Sequence, residues 1–219
     1  MKKLLVILTM GLAADFCQAA VVTVTNMNNA GDGAFSLFSQ SGTLVPGTTT
    51  DNLRLGYFSI PDSSVQSLWA SGNLTALGSN FVQYGSSFGM QDFGAGFNGV
   101  FQGGPTDNSD PFVGKTMTLW ASTGSNFLST SSEYLIFRFD ETFQPELWVG
   151  GQVLLGTSSG MLLVGAFGNF SYDYGLGSGT LPGYNTVATV PEPATGVLAG
   201  LGALWLFWRT GKRRFLPLG

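Results

Sequence analysis

The stretch EYLIFRF, from Glu133 to Phe139, is apolar on both of its alternating sides. In a strand, Leu135, Phe137 and Phe139 share one face while Tyr134, Ile136 and Arg138 share the other. A strand with two apolar faces has to be covered from above and below, so this segment predicts a central strand with a packed layer on each side. KTMTLWAS, from Lys115 to Ser122, is the other strong strand signal. VVTVTN from Val21, LRLGYFSI from Leu53 and GMLLVGAF from Gly160 add shorter ones, separated by polar, Gly-rich turns.

Only one region breaks this pattern. In DSSVQSLWASGNLTALGSNF, Val65, Leu68 and Trp69 fall at helical spacing, with Asp62 or Ser63 able to cap. A second short helix starts at Asn73, turns Leu74 and Leu77 inward and ends at Gly78. The residues NFSYDYGLGSGTLPGYNT, from Asn169, read as loop, and the Gly150-Gly151 pair reads as a turn between short strands. Many short strands without a helix between successive ones exclude a parallel α/β sheet. The expected fold is mainly β: an antiparallel β-sandwich or jelly-roll-like body with one or two short helices.

Charge is scarce and unevenly placed. Charged residues make up 10% of the chain, and four of its nine Lys and Arg (Arg209, Lys212, Arg213 and Arg214) crowd the C-terminus. Between the terminal segments only Arg54, Lys115 and Arg138 are basic, against eleven acids, a net charge of −8. Such a body is unsuited to nucleic acid, whose phosphates need Lys and Arg to neutralise them.

The N-terminus has the three-part layout of a secretory signal: Lys2 and Lys3, the apolar run LLVILTMGLAA, then small residues. Cleavage is expected after Ala19 or Ala20, which implies a secretion translocon as partner. An uncleaved anchor is the alternative. A lipid attached to Cys17 is disfavoured by the bulky Phe16 beside it. Cys17 is the only cysteine and leaves with this segment, so the body must be stabilised by apolar burial without disulfides.

At the other end, Pro191-Glu192-Pro193 precedes fifteen uncharged, mostly apolar residues (194–208) and then the basic cluster. As a helix that run is about 22 Å long, short of the ~30 Å hydrocarbon core. Snorkelling of Arg209 and local thinning could close the gap, and the basic cluster would hold that end in the cytoplasm. A buried core helix is the alternative, disfavoured by the same charges. The resulting organisation is a signal peptide (1–20), a β ectodomain (21–186), an extended tether with the triplet (187–193), a transmembrane helix (194–208) and a basic tail (209–219).

The order of triplet, apolar helix and basic cluster at the extreme C-terminus resembles the PEP-CTERM sorting signal of bacterial surface proteins. The resemblance covers roughly the last thirty residues and leaves the body outside it. It implies an exosortase, a membrane-embedded cysteine transpeptidase-like enzyme, as processing partner. It also implies cleavage near Pro191, Glu192 and Pro193, and delivery to the cell surface or exopolysaccharide matrix. The two prolines would hold the peptide extended with Glu192 exposed between them. The tail from Phe215 to Gly219 runs longer than such signals usually do.

Chemistry in the body is thin. The chain has no histidine and its cysteine leaves on export, which removes Ser-His-Asp and Cys-His devices and the common zinc sites. Asp140, Glu141 and Glu146 are the acids a glycosidase would draw on, although Asp140 and Glu141 should project to opposite sides of a strand. TDNSDP offers Asp107 and Asp110 as weak calcium ligands, without EF-hand spacing. Trp69, Trp120, Trp148, Tyr172 and Tyr174 are candidates for stacking on sugars, Trp120 and Trp148 foremost, with core packing the alternative for each. No cofactor is expected. The reading is an exported, non-catalytic structural or adhesive protein; the runner-up is a carbohydrate-binding module for exopolysaccharide, and a glycoside-active enzyme comes third.

Overall fold

The computed structural model describes residues 20–26, 35–90, 98–107, 111–144, 151–155, 160–173 and 178–189. In chain order, strands β1 (Ala20–Thr25), β2 (Ser36–Phe38) and β3 (Leu53–Phe58) precede helices α1 (Asp62–Ala70) and α2 (Leu74–Ser79). Strands β4 (Phe81–Gln83), β5 (Gln102–Gly103), β6 (Thr106–Asp107), β7 (Thr116–Ser122) and β8 (Glu133–Thr142) follow. The last are β9 (Gly151–Leu154), β10 (Gly160–Val164), β11 (Ala166–Asp173), β12 (Ser178–Asn185) and β13 (Val187–Ala188). The protein is mainly β, with sheets and only these two short helices among the described residues.

The largest sheet runs β10-β8-β7-β3-β4, with β13 also paired to β8. Its central strand behaves as the alternation of EYLIFRF requires. Leu135, Phe137 and Phe139 enter one apolar cluster, and Tyr134 and Ile136 enter another on the opposite face. All five are essentially inaccessible to solvent, and burying a side chain of this size contributes about 1.5–3 kcal/mol.

The first cluster joins all three sheets: Val22 and Val24 come from β1, Leu55, Leu119 and Phe137 from the large sheet, and Leu37 and Tyr184 from β2 and β12. The second is closed by the helices, whose Val65, Leu74 and Leu77 pack with Trp120, Tyr134 and Ile136. α2 is capped as its sequence suggests, the Asn73 side chain accepting from the Ala76 N–H at 3.0 Å. It runs on through Ser79, one residue beyond Gly78. α1 differs from expectation. Pro61 occupies the cap with extended backbone and no side-chain bond, because Asp62 already lies inside the first turn and turns its carboxylate to Arg138.

Two further expectations need correction. The sheets are not wholly antiparallel, since β1 runs parallel to β9 and β12 parallel to β2. Of the Gly150-Gly151 pair read as a turn, Gly150 lies outside the described residues, while Gly151 opens β9, which pairs in parallel with β1 over Gly151–Leu154. The segment read as loop from Asn169 is most of a hairpin, with eight residue pairs between β11 and β12. Gly and Pro lower its strand propensity, but ring contacts offset that cost: Phe167 lies 5.2 Å from Tyr184, and Phe170 lies 4.7 Å from Phe38. Pro182 is tolerated because the parallel ladder to β2 begins only at Gly183, so its missing N–H faces no partner strand. Gly183 itself is dictated by close approach, as a Cβ there would stand 2.3 Å from the Ser36 carbonyl oxygen.

β1 is fixed at its end by a buried amide. The Asn26 side chain donates to the Phe35 and Gly99 carbonyls at 3.2 and 2.7 Å and accepts from the Phe101 N–H at 2.8 Å. Its burial is tolerated because each group finds a partner.

Tyr184 gives the fold a measurable pH dependence. It is 2% exposed, and burial pushes its phenol up to about 12. The folded state therefore holds this proton more tightly than the unfolded chain, whose tyrosines titrate near ~10. The resulting stabilisation is complete below pH ~10 and is lost as pH rises through about 12. Comparing urea midpoints at neutral and strongly alkaline pH, Tyr184→Phe is expected to lose less stability than the parent chain. An identical alkaline loss in both would show that Tyr184 is not the group responsible.

Candidate functional site

One cleft gathers most of the body's exposed positive charge. β-sheet register sets Thr118 opposite Arg138 on one side and Gly56 on the other, so Arg138 emerges on the face that carries Trp120 and Ile136. The helices cover the Trp120 end of that face. At the Thr118 end a cleft of about 250 Å³ remains, bounded by Phe58, Asp62, Thr116 and Arg138. The Arg138 guanidinium donates to the Asp62 carboxylate, and each side chain keeps about a third of its surface in solvent.

Lys115 and Tyr57 form the opposite rim. The turn that carries Lys115 is tied at both ends: its N–H donates to the Phe112 carbonyl at 2.8 Å, and its carbonyl accepts from the Phe143 N–H at 2.9 Å. Lys115 is exposed, with its ammonium 5.6 Å from the centre of the Tyr57 ring. Among the described residues no carboxylate pairs with it. The cleft side chains therefore carry a net +1 in a body of −8. The remaining cation, Arg54, lies 4.0 Å over the Phe127 ring, where burial lowers its pKa, and it serves the core. Sequence reasoning missed this cleft, although the scarcity of cations in the body was the available signal.

The residues singled out from the sequence are placed differently. Trp120 is 0% exposed and ringed by Phe58, Phe81, Phe127 and Tyr134, so it cannot stack on a sugar; its size and its place in mid-strand make it core. Trp69 is half-buried against the same cluster. Trp148, Tyr174, Asp110 and Glu146 lie outside the described residues. The Asp107 carboxylate accepts from the Gly85 N–H at 3.1 Å, which ties β6 to the turn after β4. Asp140 and Glu141, expected on opposite sides, both line one open depression with Thr142 and Gln144, because the strand is ending there at the surface.

The ends of the body form the second functional feature. β1 begins at Ala20, the residue beside the expected signal cleavage, and pairs at once with Asp107. At the far end the chain is strapped until its last paired residue. The Thr186 N–H donates to the Phe38 carbonyl at 2.8 Å, and its hydroxyl is shared between that carbonyl and the Glu133 carboxylate. β13 then pairs Val187 and Ala188 with Tyr134 and Glu133, so the first two residues assigned to the tether belong to a sheet. Ala19, Pro191, Glu192, Pro193, the apolar run 194–208 and the basic cluster lie outside the described residues. No helix among the described residues is long and apolar enough to cross a membrane.

A β body whose last described strand ends at Ala188, followed in sequence by the triplet, the apolar run and the cations, has the layout of a protein sorted by its C-terminus. The family comparison agrees: a model described as the PEP-CTERM protein-sorting motif matches residues 189–214, starting at the residue after β13. The chain thus carries a PEP-CTERM signal, the kind processed by exosortase, and that signal implies export with a membrane-associated C-terminal region. No curated protein and no solved structure matches the chain.

Proposed function

We propose that this is an exported bacterial protein, delivered to the cell surface or extracellular matrix, whose β-sandwich body is structural or adhesive and not catalytic. The observation that carries the reading is where the motif falls: among the described residues the last strand ends at Ala188, and the match to the sorting motif begins at residue 189. Removal of the terminal segments would then cost the described ladders at most the Ala20–Asp107 pair at the start of β1. The body, with the large sheet covered on one face by the other sheets and on the other by helices, suits a domain that must hold together without disulfides.

Mass spectrometry of the surface fraction tests this. The expected species starts at Ala20 or Val21 and lacks the basic tail. A surface-borne chain still containing residues 209–219 would overturn the processing step, and a cytosolic full-length chain would overturn export.

A second reading, a carbohydrate-binding module, is favoured by the cleft, where Lys115 and Arg138 meet the rings of Tyr57 and Phe58. Half-buried rings and the partly exposed Thr116 hydroxyl line it, whereas Trp120 is not available.

A further inference from the structure

We infer that the cleft between α1 and the turn before β7 receives the carboxylated unit of an acidic sugar chain, a uronate. This rests on the carbohydrate-binding reading and assigns its ligand class. Three features converge. Lys115 is an exposed cation with no carboxylate partner among the described residues, on a body that otherwise repels anions. Tyr57 and Phe58, both half-buried, line the same cleft, and the Tyr57 ring beside the Lys115 ammonium can lie against the C–H face of a sugar. Thr116, partly exposed beside them, offers a hydroxyl as both donor and acceptor.

Charge selects among anions. Asp62 already engages Arg138, so the cleft offers one net positive charge with a carboxylate standing in its wall. A singly charged uronate matches that balance. A dianionic phosphate would be drawn to Lys115 but repelled by Asp62 in a partly desolvated site. Size points the same way: about 250 Å³ is smaller than the ~300–1,000 Å³ pockets that bury drug-sized ligands, and it fits one sugar unit with the rest of the chain outside. The acidic body around the cleft would limit binding to units that reach Lys115, which favours contact at one point along a polymer over coating by it.

The test titrates the full chain, in detergent, with a glucuronate oligomer and with a glucose oligomer of equal length, by calorimetry. The uronate is expected to bind and the neutral oligomer is not. Lys115→Met is expected to weaken uronate binding by ~10-fold or more, the loss of one charge-assisted hydrogen bond. Its thermal midpoint stays unchanged, because Lys115 is exposed. Equal binding of both oligomers, no uronate binding, or parent-like affinity in Lys115→Met would each overturn the assignment. An immunoblot of the same variant separates this from the sorting reading: processing and surface delivery should match the parent even when the cleft no longer binds.

Discussion

Trp120→Ala is expected to lower the thermal midpoint of the protein by roughly 6–20 °C, as replacing a buried aromatic by alanine costs about 3–5 kcal/mol and each kcal/mol moves a domain of this size by about 2–4 °C. The indole sits mid-strand on β7, between Arg54 on β3 and Ile136 on β8. Phe81 and Phe127 meet it edge-on with ring centres at 5.3 Å, and Phe58 and Tyr134 complete the shell at 5.8 and 6.4 Å. Removing it takes away the surface on which both helices rest, since Val65, Leu74 and Leu77 belong to the same cluster. Its Nε1 has no hydrogen-bond partner among the described residues, so the loss is one of packing. Against a typical total of about 5–15 kcal/mol, that single change takes a third or more of the stability of many domains. Circular dichroism during heating reads the effect. A shift below ~2 °C would mean that the indole is not buried as described.

What could be read in advance follows from how local each signal is. EYLIFRF announced a two-faced strand because both its alternation and its partners' apolar character are written in seven consecutive residues. The Asn73 cap and the inward Leu74 and Leu77 were equally local. The sorting motif at the C-terminus was legible for the same reason, being a linear order of rigid triplet, apolar run and cations.

Long-range pairing left weaker traces. Nothing in VVTVTN says that its parallel neighbour is β9, near the opposite end of the body, and the Gly- and Pro-rich hairpin of β11 and β12 is a strand pair only because Phe38 and Tyr184 give it something to pack on. The cleft escaped notice because its cations, Lys115 just before β7 and Arg138 within β8, are far apart in sequence and come together only through the antiparallel pairing of the two strands. Trp120 misled in the opposite sense: a large ring is equally suited to a core and to a sugar platform, and only its register position on a doubly covered strand decides between them.

Replacing Arg209, Lys212, Arg213 and Arg214 together by Gln is expected to reduce the processed surface form by ~10-fold or more, because Lys and Arg flanking an apolar segment set which end stays inside. The energetic argument is simple. Each unit charge moved across a membrane against its potential costs about 2.3 kcal/mol per 100 mV, so four cations held on the negative inner side oppose passage by roughly 9 kcal/mol per 100 mV. Without them the short apolar run has nothing to stop it at the depth where the triplet meets its processing enzyme. Glu192→Ala tests recognition separately, as it leaves the four cations and both prolines in place; full-length precursor is expected to accumulate in the membrane fraction. Both changes lie beyond the described strands, the last of which ends at Ala188, so the thermal midpoint should match the parent in both. Immunoblots against a tag in the body and one after Gly219 distinguish precursor from product. Parent-like processing in both variants would overturn exosortase sorting through residues 189–214. A defect confined to Glu192→Ala would instead show that recognition depends on the triplet while the cations are dispensable for placing it.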